Sequence, residues 1–219
     1  MGIKSRLSDK ELLSAIYNAA SAYSKLVDNS FLIIGKNKNS VFFWFQCYFE
    51  RKHFMHLLGI KSKTIGAVEF YDRCILFSEG KGDGIMISDC TPSREHSRST
   101  VNEKSSCCAE ILCIQDAKYM KVGLKDKISQ YVDFSYGYGN MATLGFKAVG
   151  ETSFPVTLIP TSIDKFVSAK YKIIIVLRKN MQSKKYKNIY SEVKKGLFEE
   201  LYHDFPEELK DFIMIDHVK

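Results

Sequence analysis

Hydrophobic and polar positions in the first part of the chain follow helical and then strand spacing. Ser8 and Glu11 form a capping-box pair, and the apolar residues after them recur along one wide face, which predicts a helix over residues 8–28. Residues 31–35 and 41–49 are rich in aromatic and β-branched side chains, and the Lys-Asn-Lys-Asn sequence between them predicts a hairpin turn. The second strand shows little polar alternation, so we expect both of its faces to be covered.

A long polar segment separates this region from the second half of the chain. Apolar side chains at turn spacing predict a helix over residues 65–77. Residues 78–106, in contrast, are rich in Ser, Gly, Asp and charged side chains and predict a long loop, with an irregular strand at 84–87 as the alternative. The mixed pattern of residues 109–124 favours a helix.

Strand patterns dominate the last part of the chain. Four strands are predicted, at residues 131–138, 142–149, 154–159 and 172–178. A closing amphipathic helix is predicted over residues 184–202, and Pro206 begins a short tail helix. These elements predict a single α+β domain spanning residues 1–219, with N-terminal helices, an antiparallel sheet of about four strands plus an extra hairpin, and a C-terminal amphipathic helix.

Composition and cysteine spacing limit the classes of protein to consider. A hydrophobic content of 45% and an aromatic content of 13% indicate a folded globular protein. No apolar run approaches the ~20 residues of a membrane span, and the N-terminus lacks a signal-peptide core, so we expect a soluble cytoplasmic protein without membrane contact. The six cysteines include no Cys-x-x-Cys pair and predict free thiols, and we expect neither a metal nor another cofactor.

The charge is distributed unevenly along the chain, whose formal net charge is +7. Residues 170–195 hold nine basic side chains and one acid, a net charge of +8, whereas residues 196–219 hold seven acids and two lysines, a net charge of −5. The basic block indicates either a surface that attracts a polyanion or a solvated face beside an acidic tail. Under the first interpretation, Lys184 and Lys185 at the start of the closing helix converge with Lys172 and Arg178 of the preceding strand.

The most informative segment is His53-Phe54-Met55-His56-Leu57-Leu58-Gly59-Ile60, which Lys61 and Lys63 follow. Imidazoles titrate near neutral pH and lysines hold phosphate, so the segment carries groups suited to RNA chemistry. The alternative is structural, because an apolar run of this kind is often core and its histidine then bonds a backbone group.

Two patches of the sequence resemble motifs of a known nuclease group. The segment Phe54-x-His56-Leu57-x-Gly59, followed by a helix that carries Phe70-Tyr71, resembles a signature of phage-borne nucleases in the barnase–EndoU–colicin–RelE superfamily. The segment Phe154-Pro155-x-Thr157-Leu158-Ile159-Pro160 resembles the terminal-strand motif of that group. The resemblance spans about residues 10 to 180. It implies a compact ribonuclease fold with leading helices, an antiparallel sheet and metal-free cleavage, and it carries over only His56 and its neighbours as site residues.

Metal-free RNA cleavage uses the adjacent 2′-hydroxyl as nucleophile and needs a base, an acid and cations around the phosphate. The expected catalytic residues are His56, His53, Lys61 and Lys63, and the two histidines share a face if their segment is helical.

The other candidates are substrate-binding residues. They are Arg73 for phosphate charge, Thr157, Thr161 and Ser162 for phosphate positioning, Tyr71 and Tyr138 for base stacking, and Lys172, Arg178, Lys184 and Lys185 for the polyanion. Core packing of Tyr71, strand propensity of Thr157 and a helix cap at Thr161-Ser162 are the open alternatives.

These observations predict a metal-independent RNA-cleaving nuclease or toxin-like enzyme of phage or mobile-element type, with RNA as its partner. The alternative is a catalytically inactive protein with a nuclease fold that binds nucleic acid or blocks a host defence protein. The long polar segment at 78–106 favours the alternative, because loops of this kind often carry binding.

Overall fold

A computed structural model describes residues 3–114, 120–124, 132–138, 141–165 and 170–214. Its helices are α1 Asp9–Ser24, α2 Arg51–Leu57, α3 Ala67–Ser78, α4 Arg98–Ile111, α5 Leu197–Leu201 and α6 Glu207–Lys210. Its strands are β1 Asn29–Lys36, β2 Phe42–Tyr48, β3 Met120–Leu124, β4 Phe134–Tyr138, β5 Ala142–Val149, β6 Thr152–Ile159, β7 Lys170–Asn180 and β8 Asn188–Glu192. Short 3-10 helices lie at Ile87–Asp89, Ile163–Lys165 and Tyr202–Asp204.

The strands form one mixed sheet that closes on itself. The order is β1-β2-β6-β5-β4-β3-β7, and β7 also pairs with β1, so seven strands make a ring and β8 flanks β7. The β2–β6 pairing is parallel, whereas the other pairings are antiparallel. The α+β class is confirmed. The predicted sheet was too small, because β3 and β8 were missed and the hairpin β1–β2 belongs to the same sheet.

Helix α1 forms as its sequence predicts. The Ser8 hydroxyl accepts a hydrogen bond from the Glu11 amide (3.3 Å), and the Glu11 carboxylate accepts one from the Ser8 amide (2.9 Å), which satisfies free amides of the first turn. The helix then buries one face, with Leu12, Ile16 and Tyr23 fully inaccessible to solvent. This face joins the main core beneath the sheet, to which α2, α3 and α4 also contribute.

A second core lies on the opposite side of β1 and β7. Four residues of the C-terminal segment, Phe198, Phe205, Leu209 and Ile213, pack there with alternate residues of the two strands, such as Leu32 and Ile175. Strand β2 is covered on both faces, as predicted, because Phe45 faces the main core and Trp44 packs against the second one. The C-terminal segment therefore seals a sheet face that is apolar in sequence.

The predicted loop at 78–106 is wrong in its second half. Helix α4 begins at Arg98, where the Ser97 hydroxyl accepts a hydrogen bond from the Thr100 amide (3.2 Å). Its buried face includes Val101, Cys108 and Ile111. The sequence resembles a loop because polar residues fill most of the positions between these three. The alternative strand at 84–87 is also wrong, since a 3-10 turn lies at Ile87–Asp89.

The predicted helix at 109–124 is wrong at its C-terminal end. Helix α4 ends at Ile111 and residues 120–124 form β3, while the stretch from 115 to 119 lies outside the described residues. Pairing of β3 with both β4 and β7 explains the extended conformation of residues 120–124.

The predicted closing helix at 184–202 is wrong over most of its length. Residues 188–192 form β8 against β7, and only Leu197–Leu201 is α-helical at this point. The Glu192 carboxylate accepts hydrogen bonds from the amides of Gly196 (2.6 Å) and Phe198 (3.1 Å), so it caps the start of α5. The short tail helix α6 follows Pro206 as predicted.

None of the described helices combines the length and apolar composition that crossing a membrane requires.

Truncation of Phe205 tests the second core. Phe205→Ala should lower the free energy of unfolding by about 3–5 kcal/mol, because it removes a buried aromatic ring and leaves a cavity. Urea unfolding measures this change. Fluorescence of Trp44, the single tryptophan, reports on it because Trp44 packs against the second core. Val149→Ala is the control, since Val149 is 58% exposed and should change stability by less than about 1 kcal/mol. Equal effects of the two substitutions would contradict the assignment of Phe205 to a core.

Candidate active site

Helix α2 carries both histidines of the motif, in different environments. His53 is 7% exposed, and its ring stacks on Phe154 with centroids 5.0 Å apart and an interplanar angle of 18°. Tyr48 of the neighbouring strand lies 6.2 Å from the same imidazole, between ring centroids. His56, one turn later, is exposed to solvent. The fold therefore brings helix α2, which carries His53 and the motif residues that follow it, into contact with the 154–160 motif.

The environment of His53 favours its neutral form. Its Nδ1 accepts a long hydrogen bond from the Glu50 amide (3.4 Å), and its Nε2 lies 3.6 Å from the Glu50 carboxylate. Burial lowers the pKa of His53 to about 4, although the Glu50 carboxylate acts in the opposite direction. The ammonium group of Lys52, 2.5 Å from the same carboxylate, neutralises part of its charge. His53 is therefore uncharged at neutral pH and holds α2 in place.

The turn after α2 requires glycine at position 59. Gly59 has a φ of 71°, in the left-handed region that favours glycine. A Cβ atom at this position would lie 2.5 Å from Cδ2 of His96, closer than non-bonded atoms approach. The motif glycine thus allows the ring of His96 to lie directly against the backbone of the turn.

His96 bonds a buried lysine on the next helix. The amine of Lys104, which is 3% exposed, lies 2.9 Å from His96 Nε2, and His96 Nδ1 lies 3.0 Å from the Glu95 carbonyl oxygen. Because Nδ1 donates to this carbonyl, Nε2 accepts from Lys104. Burial lowers the pKa of Lys104 to about 8, and burial together with the lysine charge lowers the pKa of His96. A neutral imidazole therefore supports the turn.

Sequence reasoning missed both members of this pair. Had α4 been recognised, Lys104 would have stood out, since it lies on the same helical face as Val101, Cys108 and Ile111. No comparable signal identifies His96, which lies far from the motif in sequence.

Lys61 and Lys63 project from a turn that a buried carboxylate holds. Asp89, 1% exposed, accepts hydrogen bonds from the hydroxyls of Thr64 (2.5 Å) and Ser62 (3.3 Å) and from the Met86 amide (2.9 Å). Burial raises the pKa of Asp89, but these hydrogen bonds outweigh it, so the pKa lies below its ordinary value. Both lysines are exposed, and neither forms an ion pair with a described residue. The structure thus presents two cations on a fixed turn shortly after His56.

The predicted stacking and phosphate residues on α3 have other contacts. Tyr71 is 4% exposed and packs against Tyr23 and Phe54, with ring centroids 5.7 Å and 5.5 Å away, so its position corresponds to the core alternative. Burial raises the pKa of its hydroxyl to about 12. Arg73 donates to the Glu69 carboxylate on the same helix (2.6 Å). Tyr71 is therefore too buried to stack on an RNA base, and the charge of Arg73 is already paired with Glu69.

The predicted residues in and after β6 are not gathered around His53. Thr157 lies opposite Gly145 on β5, three residues beyond Phe154. The Thr161 carbonyl accepts a hydrogen bond from the Thr143 hydroxyl (2.8 Å). The Ser162 hydroxyl accepts one from the Asp164 amide (3.2 Å), which corresponds to the helix-cap alternative. Tyr138 ends β4, and its side chain lies outside the described part of the structure.

The basic block is not arranged as the predicted strand and helix. Lys172 and Arg178 both belong to β7 but lie six residues, or about 20 Å, apart along the strand. The Arg178 guanidinium lies over the Tyr190 ring, 5.4 Å from its centroid. Lys184 and Lys185 are exposed in the β7–β8 connection rather than at a helix start. The expected packing of a strand against a helix that starts at Lys184 is therefore wrong, because residues 188–192 form β8 and the α-helix begins only at Leu197.

No group of three or more His, Cys, Asp or Glu side chains suited to a metal occurs in the described ranges. The six cysteine thiols are free, and five of them are buried.

Comparison with known families places this chain among nucleases. A family model described as phage-Barnase-EndoU-ColicinE5/D-RelE like nuclease4 matches residues 15–195. The match covers most of the chain, including the histidine helix α2 and the motif strand β6, and the protein therefore belongs to this nuclease family. The family suggested by the two sequence motifs is confirmed. A search of curated proteins and a search of solved structures each gave no match.

Substitution of Gly59 tests the support of the turn by His96. Gly59→Ala should destabilise the protein by about 1–3 kcal/mol from backbone strain, and further through collision with His96. Gly150→Ala is a matched control, since Gly150 also has a positive φ (61°) but a Cβ atom there would have no neighbouring atom within 4 Å. Urea unfolding of the single variants and of Gly59→Ala combined with His96→Ala measures both contributions.

The collision should make Gly59→Ala costlier than Gly150→Ala, and removal of the His96 ring should recover part of the difference. Equal costs at the two glycines, with no recovery in the double variant, would contradict direct packing of His96 on the turn.

The lowered pKa of His53 predicts a dependence of stability on pH. The unfolded chain, in which His53 has its ordinary pKa of 6.5, binds the proton more readily than the folded protein, where the pKa is about 4. Stability should therefore fall as the pH decreases from about 6.5 towards 4. His53→Phe keeps a ring against Phe154 but cannot titrate, so it should lose less stability over this range. Urea midpoints at several pH values measure the difference, and parallel curves would contradict a neutral buried His53.

Proposed function

We propose that this nuclease cleaves RNA without a metal ion and that His56 is its proton-transfer group. The observation that carries the proposal is the stacking of His53 on Phe154, which joins the two motif segments and leaves His56 exposed on the next turn of α2. Membership of the nuclease family supports phosphodiester chemistry. Histidine is the side chain that most often transfers protons in enzyme catalysis.

The proposed reaction is an internal transfer of the phosphate. His56 takes the proton of the 2′-hydroxyl, and the 2′-oxygen attacks phosphorus to form a 2′,3′-cyclic phosphate. The P–O5′ bond breaks, and the leaving 5′-oxygen receives a proton to become a hydroxyl. Lys61 and Lys63 stabilise the charge that develops on phosphate and are candidate donors of this proton. In this proposal His53 and the His96–Lys104 pair hold α2 and its turn.

A second candidate is a protein that binds nucleic acid without cleaving it. The observation that favours it is the burial of His53, because the motif then offers one exposed imidazole where acid–base cleavage often uses two groups. Retention of RNA without cleavage, by protein of verified fold, would support this second candidate over the first.

RNA degradation in the presence of EDTA tests the proposal. Wild-type protein should degrade total RNA or tRNA, and His56→Ala should lower the rate at least ~100-fold because it removes the proton acceptor. His203→Ala is the matched control, since His203 is also exposed but lies in the C-terminal segment, beyond the family match. Undiminished cleavage by His56→Ala, or cleavage that EDTA abolishes, would overturn the proposed mechanism.

A further inference from the structure

Three lysines occupy adjacent positions on three neighbouring strands. Lys36 of β1 lies directly opposite Lys172 of β7, and Lys121 of β3 lies opposite Lys172 on the other edge of β7. Phe42 of β2 is the partner of Lys36 on the remaining side. The sheet thus places an aromatic residue and three lysines in one row across β2, β1, β7 and β3, which we call the lysine row.

The row is unfavourable for the isolated protein. Directly opposite residues of an antiparallel pair share a face, and like charges in this position destabilise the sheet. Lys172 is exposed and Lys36 half-exposed, and neither forms an ion pair within the described ranges. The Lys36 amine lies instead over the Phe42 ring, 4.9 Å from its centroid.

Other lysines of the sheet have acidic partners. Lys170 lies 2.5 Å from the Asp164 carboxylate, and Lys147 lies 3.1 Å from that of Asp133. Carboxylates thus neutralise lysines at other positions of the sheet. In contrast, no carboxylate of a described residue forms an ion pair with Lys36 or Lys172. Because Lys36 and Lys172 lack such partners among the described residues, we infer that an anion from outside the chain balances their charge.

No acid in the described part of the C-terminal segment forms an ion pair with Lys36 or Lys172. Glu200 pairs with Lys194 (3.1 Å), and Glu207 pairs with Lys210 (2.9 Å), so these acids bind lysines near them in sequence. Residues of this segment pack against Phe42 from the second core, but Lys172 is still exposed and Lys36 half-exposed.

We propose that the lysine row binds the backbone of single-stranded RNA, at a site separate from the histidine helix. Adjacent strands lie about 4.8 Å apart, so Lys36 and Lys172 present two neighbouring positive charges that an extended chain of phosphates can follow, and Lys121 is next in the backbone register. Single-strand binding commonly combines such a charged path with aromatic side chains, as here with Phe42. The inference rests on the proposed function for the choice of RNA as the ligand. Lys38, exposed in the adjoining turn, extends the positive surface.

The row starts at the far end of β1 from the motif. Lys36 is the last residue of β1, whereas Ser30 near its start pairs with Tyr48, which borders His53. These two positions are six residues, or about 20 Å, apart along the strand. RNA bound at the row is therefore held away from the histidine helix, so a single RNA must be several nucleotides long to reach both the row and His56.

Binding of a 2′-O-methyl RNA oligonucleotide tests the inference without interference from cleavage. In fluorescence anisotropy, Lys36→Gln combined with Lys172→Gln should raise the dissociation constant at least ~10-fold and reduce the salt slope by about 1.4, the value for two lost single-strand phosphate contacts. Lys184→Gln combined with Lys185→Gln removes the same charge from an exposed connection and should change the constant less than ~3-fold. Equal effects of the two double variants would overturn the inference.

A charge-reversed variant guards against loss of fold. Lys172→Glu places an acid opposite Lys36 and should raise the thermal midpoint while weakening binding, because a cross-strand ion pair replaces the repulsion. Unchanged RNA binding by this folded variant would also overturn the inference. Failure of the proposed function can be distinguished from failure of this inference. A wild-type protein that binds RNA through the row but does not cleave it would support the row and refute the catalytic role of His56.

Discussion

The position of the candidate site depends on the stacking of His53 on Phe154. Helix α2 has seven residues, too few to be stable by itself in water, so its position depends on tertiary contacts. The ring contact fixes the helix against β6, and Phe54 and Leu57 bury its opposite side in the main core. The burial that makes the contact also keeps His53 neutral. One interaction therefore sets the place of α2 and leaves one of its histidines buried and the other exposed.

A polar pair holds the other end of the same helix. His96 packs against Gly59 and bonds Lys104 of α4, so the turn after α2 is tied to a helix that follows much later in the chain. A buried amine bonded to an imidazole is costly unless both partners are present. Asp89 acts in the same way on the following turn through Ser62 and Thr64. These contacts give an exposed surface segment a defined conformation.

Local signals in the sequence predicted much of the fold and little of the site. The capping box of α1, the aromatic hairpin and the strands β4 to β7 were predictable because cap chemistry and strand composition act locally. Helix α4 was missed because its apolar face is interrupted by Lys104. Strand β8 was mistaken for helix because Ile189 and Val193 fit helical spacing, although Ile189 is 40% exposed. Two features could not be read from the sequence. The role of His96 depends on a tertiary contact, and the pairing of Lys36 with Lys172 depends on strand register.

In the reaction that we propose, the 2′-hydroxyl of RNA is the nucleophile and His56 is its base. The most direct measurement compares an RNA oligonucleotide with its fully 2′-O-methylated counterpart in EDTA, with analysis of the product ends. We expect cleavage of the unmodified strand alone, with 2′,3′-cyclic phosphate and 5′-hydroxyl ends. Cleavage of the methylated strand, or products with 5′-phosphate ends that form only when Mg²⁺ is added, would contradict this reaction.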